Sequence, residues 1–263
     1  MPQIQARHIQ LGINVVIENT AIIRGIHGDA DEIIIGDNTY IGDSVQIICD
    51  NFAIGDYGKI HHHTNIHGYR PCHIGHNAWI GQHCLLDSIG GIEMGDNCGI
   101  GAYSQLWSHI KYGDTLAGCR FCAENRLVIG NDVWLVGHCI VSPINIADRA
   151  MALAGSVITK DMAYNTIYAG CPAVAISDKL GGGQFGETPT FEAKLKAMES
   201  YISESGIDAD AVRLVHSPDD FLYDGRTYFA LSTRQYLKTQ SSDEIKLMRY
   251  LLPHRAKFVP YYR

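Results

Sequence analysis

The sequence predicts an all-β fold, a parallel β-helix of triangular coils, on three observations. An aliphatic residue recurs every six positions and is usually followed by glycine. The hexads run in threes, with an irregular step after each third one. Turn-forming runs such as GDN, GDS and GND come just after the aliphatic position. A six-residue period supplies one short strand and one corner per hexad, so three hexads close one turn of a prism.

Composition agrees with a packed repeat. Apolar residues make up 46% and charged residues 19%, enough for a continuous core and against disorder. A net charge of −7 argues against a nucleic-acid or anionic-membrane surface. No apolar run reaches the length of a membrane span, and MPQIQARHIQ lacks the apolar centre of a signal peptide. A cytoplasmic protein that binds neither nucleic acid nor membrane is the expectation.

The coils follow in order. Leu11, Ile17 and Ile23 form a weak first triplet; Ile35, Ile41 and Ile47 and then Ile54, Ile60 and Ile66 are stronger. Ile74, Ile80 and Leu86 come next, then Met94, Ile100 and Leu106. After a gap the period returns at Ile129, Leu135 and Val141 and fades through Ile146, Ala152 and Ile158. The fourth position after the aliphatic residue is small, as at Thr39, Val45, Ala78 and Ser104, and Cys84, Cys98 and Cys139 fall in that slot. These cysteines read as small residues inside the coil. Cys119 and Cys122 form a single CxxC with no second pair to complete a zinc ribbon.

Irregular steps fall only between a third hexad and the next first one, so every insertion sits at one corner, including the excursion over 107–128. His67, Asp87 and His109 follow third hexads and are expected to stack there, with coils about 4.8 Å apart. His109, in SQLWSHI, stands where the coil opens into a loop able to lean over a ligand. The plainer reading makes His109 a solvated corner residue and Asp87 a turn cap.

The stretches CLLDSIGGIEMGDNCGIGAYSQLWSHI, LVIGNDVWLVGHCIV and ALAGSVITKDMAYNTIYAGCPAVAI resemble the hexapeptide-repeat acyltransferases, notably the branch that acetylates sugars. The likeness covers roughly 35–178. It implies a left-handed β-helix, acetyl-CoA as cosubstrate, and a homotrimer with active sites between neighbouring prisms. It implies His109 as general base. Ala154, Gly155, Ser156, Thr159, Lys160, Gly170 and Pro172 would line the coenzyme A channel, with Lys160 and Lys179 toward its phosphates. A base titrating near neutrality is what an alcohol needs to attack a thioester. Asp87 would orient either the substrate hydroxyls or the imidazole, and His67 would help position the acceptor. Trp134 offers an apolar wall or plain interface packing, and backbone N–H groups near Gly137 a cradle for an oxyanion.

The acceptor is expected to be a sugar, with O-acetylation in surface-polysaccharide synthesis ahead of N-acetylation of a nucleotide-linked amino sugar. A β-helix scaffold without activity is the non-enzymatic alternative. IHHHTNIHG also resembles the zinc-binding stretch of γ-class carbonic anhydrases through His62 and His67. The third ligand's slot, one coil earlier, holds Ile48, so no metal is assigned. His63, His83, Tyr103 and His138 form a ladder on the middle face.

The helical coil is expected over 1–178 and an α+β appendage over 179–263. The glycines of AISDKLGGGQFGE read as a linker, TPTFEAKLKAMESYISESG and SSDEIKLMRYLL as helices, and DFLYDGRTYFAL as a hairpin about Asp224-Gly225. The appendage reads either as a cap or as an acceptor-binding element.

Overall fold

The structure is a computed structural model that describes residues 3–262. The chain divides into two compact units, one ending at Gly186 and the other beginning at Glu187.

The first unit is a parallel β-helix. Its aliphatic residues stack in three columns, one per face of the prism. Ile35, Ile54, Ile74, Met94, Ile129 and Ile146 are successive register partners on the first face. Ile41, Ile60, Ile80, Ile100, Leu135 and Ala152 do the same on the second. Ile47, Ile66, Leu86, Leu106, Val141 and Ile158 make the third. All are buried, and with the slot residues Cys84, Cys98 and Cys139 they form one continuous core. The faint triplet at Leu11, Ile17 and Ile23 pairs in the same register.

Side-chain chemistry at the corners explains the rest of the motif. At the first corner, between faces one and two, the residue after each glycine accepts the backbone N–H of the coil before it. Ile13 donates to Asp37 at 2.8 Å, Asp37 to Asp56 at 2.8 Å, His76 to Asp96 at 2.7 Å and Asn131 to Asp148 at 2.7 Å. The glycine follows from this: a Cβ on Gly36 would lie 2.5 Å from the Asp56 amide nitrogen and carboxylate. Ile-Gly-Asp is thus a backbone cap plus the clearance it requires.

The second corner carries a left-handed residue in each coil: Ser44, His63, His83, Tyr103 and His138, with φ between 51° and 60°. Histidine is enriched among non-glycine residues in that conformation. The expected ladder is present, at this corner rather than on the middle face: His63–His83, His83–Tyr103 and Tyr103–His138 stack with ring centroids 4.9, 4.9 and 5.0 Å apart.

The glycine-rich run before Glu187 is not a free linker. Asn165 exchanges two hydrogen bonds with the backbone of Phe185, Gln184 donates to the Asp132 carbonyl, and the Arg149 guanidinium lies 4.8 Å over the Phe185 ring. Those three partners line the prism wall near the first corner, so the run is strapped down as far as the unit boundary.

The second unit has helices Phe191–Ser205 and Ser242–Leu251, capped by Thr190 and Ser241 side chains that accept from Ala193 and Glu244 amides. Its four-stranded sheet comprises Val212–Val215, Thr227–Ala230, Gln235–Tyr236 and Val259–Pro260. The hairpin expected about Asp224-Gly225 is displaced. Asp224 accepts from Arg226 N and from the Tyr228 hydroxyl, which makes a turn into Thr227–Ala230. That strand's antiparallel partner is Gln235–Tyr236, and it runs parallel to Val212–Val215.

Candidate active site

At the third corner, the strand Leu85–Asp87 ends one residue past the inward Leu86. One coil on, Leu106 points inward and Trp107 makes the last ladder bond, to the Val141 carbonyl. The chain then leaves the coil. His109–Lys111 and Cys122–Glu124 pair as an antiparallel hairpin, closed at its base by Asn125 N donating to the Ser108 carbonyl at 3.1 Å. Gly90 permits this approach: a Cβ there would lie 2.4 Å from the Ser108 carbonyl oxygen and 2.7 Å from that of Asn125.

His67 and Asp87 are direct register partners, as the stacking predicts. His109 is not the next rung. Trp107 holds that place, because the chain stays in the ladder for one more residue before turning out. His109 instead folds back from the hairpin, and its Nδ1 lies 2.7 Å from Asp87 Oδ2. Trp107 flanks it, ring centroids 6.3 Å apart.

Asp87 is 0% exposed, and Oδ2 also accepts from the backbone N–H and the Oγ of Ser108, both at 3.0 Å. Oδ1 is buried with no hydrogen-bond partner among the described residues. The hairpin base covers Asp87, so of its two expected partners, the substrate hydroxyls and the imidazole, the one it contacts in this chain is the imidazole. A carboxylate can only accept, so the shared proton belongs on Nδ1 and the lone pair on Nε2. The His109 side chain is 21% exposed, so the ring is held at one edge and open at the other.

The thiol beside Ser88 is unsuited to nucleophilic work. Cys49 Sγ lies 3.4 Å from Ser88 Oγ, and burial pushes its pKa up to about 11 against the smaller opposing pull of that hydroxyl. A shut-in neutral thiol cannot attack a thioester.

The remaining expected residues are distributed around the prism. His67 is half-buried, its Nδ1 2.9 Å from Asn65 Oδ1. Trp134 is 46% exposed on the second face, the one opposite the third corner, with its indole Cδ1 3.2 Å from where a Cβ on Gly99 would sit. Gly137, Ala154 and Gly155 lie at the second corner, the last two exposed. Thr159 and Lys160 are exposed at the third corner of the last full coil. Gly170 and Pro172 form the turn between Ile167–Gly170 and Ala173–Ala175, and Lys179 is exposed on the short helix Ser177–Leu180. Ser156 departs from expectation: it occupies the small inward slot after Ala152, 0% exposed, with Oγ donating to the Leu153 carbonyl. Its side chain cannot reach a cofactor.

One chain therefore joins His109 to Asp87 and leaves Trp134, Gly137 and Gly155 elsewhere. His62 and His67 stand at opposite ends of one face, Ile48 pairs with His67, and among the described residues no group of three His, Cys, Asp or Glu side chains converges as a metal site. Ser108 and Gly90, which build the pocket around the Asp87 carboxylate, were not singled out from sequence. The only sequence signal was a serine directly before a histidine at the coil exit.

No protein-family model matches the sequence. The bifunctional protein GlmU of Listeria welshimeri serovar 6b is 25% identical over 177 residues, 59% of this chain and 36% of that protein. The galactoside O-acetyltransferase of Escherichia coli K12 is 38% identical over 53 residues, 20% of this chain and 26% of the relative. The chain thus spans about a third of the length of these curated relatives or less. Among solved structures, a maltose O-acetyltransferase from Clostridium difficile 630 aligns with a TM-score of 0.33 at 23% identity, over 60% of this chain and 69% of the other. Over these stretches the chain is similar to GlmU and to a galactoside O-acetyltransferase, and its own hexads build the coil described above.

Proposed function

We propose that the protein transfers an acetyl group from acetyl-CoA to a hydroxyl of a sugar acceptor, as a step in surface-polysaccharide synthesis, with His109 as the general base. The observation that carries this reading is the 2.7 Å contact between His109 Nδ1 and a carboxylate closed off from solvent. It leaves Nε2 as the free base, aimed away from the coil. Acetyl-CoA, when bound, supplies the activated thioester. His109 Nε2 takes the acceptor's hydroxyl proton as that oxygen attacks the acetyl carbonyl. Asp87 meanwhile stabilises the imidazolium. The imidazolium then returns the proton to the departing thiolate, so an ester and free coenzyme A thiol are the products. Transfer is taken as direct, with the acceptor oxygen as the attacking nucleophile; the Cys49 thiol is buried and its pKa is pushed up to about 11.

Support for coenzyme binding comes from the last coils. Ala154, Gly155 and Thr159 are exposed, and Lys160 and Lys179 are exposed cations with no ion pair among the described residues, as a phosphorylated ligand requires. Because Trp134 and Gly137 lie away from His109, the reading includes a homotrimer in which a neighbouring prism completes each site. A reducing cytoplasmic setting suits cysteines that are all free.

The test is thiol release from acetyl-CoA across a panel of sugars, galactosides first, and nucleotide-linked amino sugars. His109→Ala should lower turnover about 10²–10⁴-fold, the usual contribution of a general base, with coenzyme A binding by calorimetry unchanged. Near-normal turnover in that variant overturns the mechanism. Transfer to amino sugars alone replaces O-acetylation with N-acetylation.

A further inference from the structure

Ser108 is wholly buried and uses all its polar groups at the base of the hairpin. Its backbone N–H and Oγ each donate to Asp87 Oδ2 at 3.0 Å. The same Oγ accepts from Gly90 N at 2.7 Å, and its carbonyl accepts from Asn125 N at 3.1 Å. The chain of bonds runs from the Gly90 amide through the Ser108 hydroxyl to the carboxylate, and from the other side His109 Nδ1 reaches the same oxygen. All three donors fall on Oδ2, while Oδ1 has no partner among the described residues.

That asymmetry leaves the carboxylate free to turn unless something holds it. A half-turn about its last side-chain bond only exchanges two equivalent oxygens, but a partial turn would carry Oδ2 off the line to the imidazole. Ser108 opposes it from two directions, with the backbone N–H fixing one approach to Oδ2 and the hydroxyl another. His109 alone supplies a single bond and sits on a half-exposed hairpin. A base is effective only while its lone pair stays within a few tenths of an ångström and some tens of degrees of its line of attack.

We infer that Ser108 is a positioning residue that locks the Asp87 carboxylate and through it the tautomer and aim of His109. This rests on the acetyl-transfer reading above. The Ser108 hydroxyl touches no substrate and carries no proton of the reaction.

The test uses the full chain labelled with ¹⁵N-histidine. The imidazole of His109, assigned by its loss in His109→Ala, should report one tautomer, with the proton on Nδ1. Ser108→Ala should show a mixture of tautomers with faster exchange of the Nδ1 proton. With acetyl-CoA and the acceptor found by the sugar panel, kcat should fall about 10- to 100-fold, the scale of a misplaced catalytic group. KM for both substrates should stay within about two-fold, since no binding contact is removed. In an Asp87→Asn background, Ser108→Ala should cause no further loss, because its effect passes through that carboxylate. An unchanged tautomer spectrum, a wild-type kcat, or losses that multiply in the double variant each overturn the inference. Where Ser108→Ala fails to fold by circular dichroism, Ser108→Cys replaces it, keeping the volume with a weaker donor, and a wild-type spectrum there overturns it too. Activity retained in His109→Ala defeats the acetyl-transfer reading itself. An inactive His109→Ala beside a normal Ser108→Ala defeats only the role of Ser108.

Discussion

A carboxylate with 0% exposure, bonded to an imidazole at 2.7 Å, is placed to orient that ring. Asp87→Asn should therefore act on turnover and leave the acceptor KM alone. The amide would present N–H as well as C=O and turn the ring to the wrong tautomer, a defect of roughly 10³-fold or more when an Asp–His pair is broken this way. Steady-state kinetics checks it, and a rise in acceptor KM at constant kcat would return Asp87 to the substrate site. The thiols give a second residue-scale outcome. Burial pushes Cys49 and Cys84 up to about 11 from 9.0, so both stay neutral in the fold while unfolded cysteines ionise. Stability from this source is intact below pH 9 and is lost as pH climbs toward 11, so the melting temperature should fall across that window. Cysteine→Ser at both sites should flatten the fall. Native alkylation should mark Cys122 and Cys171 and spare these two, as mass spectrometry can read.

A hexad is held by one inward aliphatic residue and a corner. Ile66, 0% exposed between Ile47 and Leu86, has no way to relax inside a closed coil. Ile66→Ala should reduce stability by about 2–5 kcal/mol, measured by denaturant unfolding. His83→Asn at the second corner keeps a residue that tolerates the left-handed conformation and should change stability by less than about 1 kcal/mol. The columns were legible because each aliphatic position repeats locally and strand pairing follows from the period. The hairpin His109–Lys111 with Cys122–Glu124 was not, since nothing in its residues marks it apart from a long insertion. The displaced tail hairpin failed for a related reason: Asp224-Gly225 is good turn chemistry, but the strand that pairs with Thr227–Ala230 was chosen by sheet packing among Val212–Val215 and Gln235–Tyr236.

On the scale of the prism, His109 stands at the third corner and Trp134 on the face opposite. If both serve one reaction, they come from different copies. Sedimentation should give a trimer, and His109→Ala refolded together with Trp134→Ala should recover part of the activity that each lacks alone, because mixed assemblies rebuild some intact sites. Recovery absent in verified mixed trimers would assign Trp134 to packing. The sequence by itself determined the coil, its three columns, the corner at which every insertion emerges, and the histidine that stands there. Those are consequences of a short period, in which each residue's environment is set by neighbours six positions away and by the coil stacked beneath. Only the tertiary structure decided that Trp107 and not His109 continues the ladder, that Ser108 clamps Asp87, that Ser156 turns inward and that the glycine run before Glu187 is pinned to the wall. Each of these depends on where an irregular segment folds back across the coil, and contacts made across space leave no period to read.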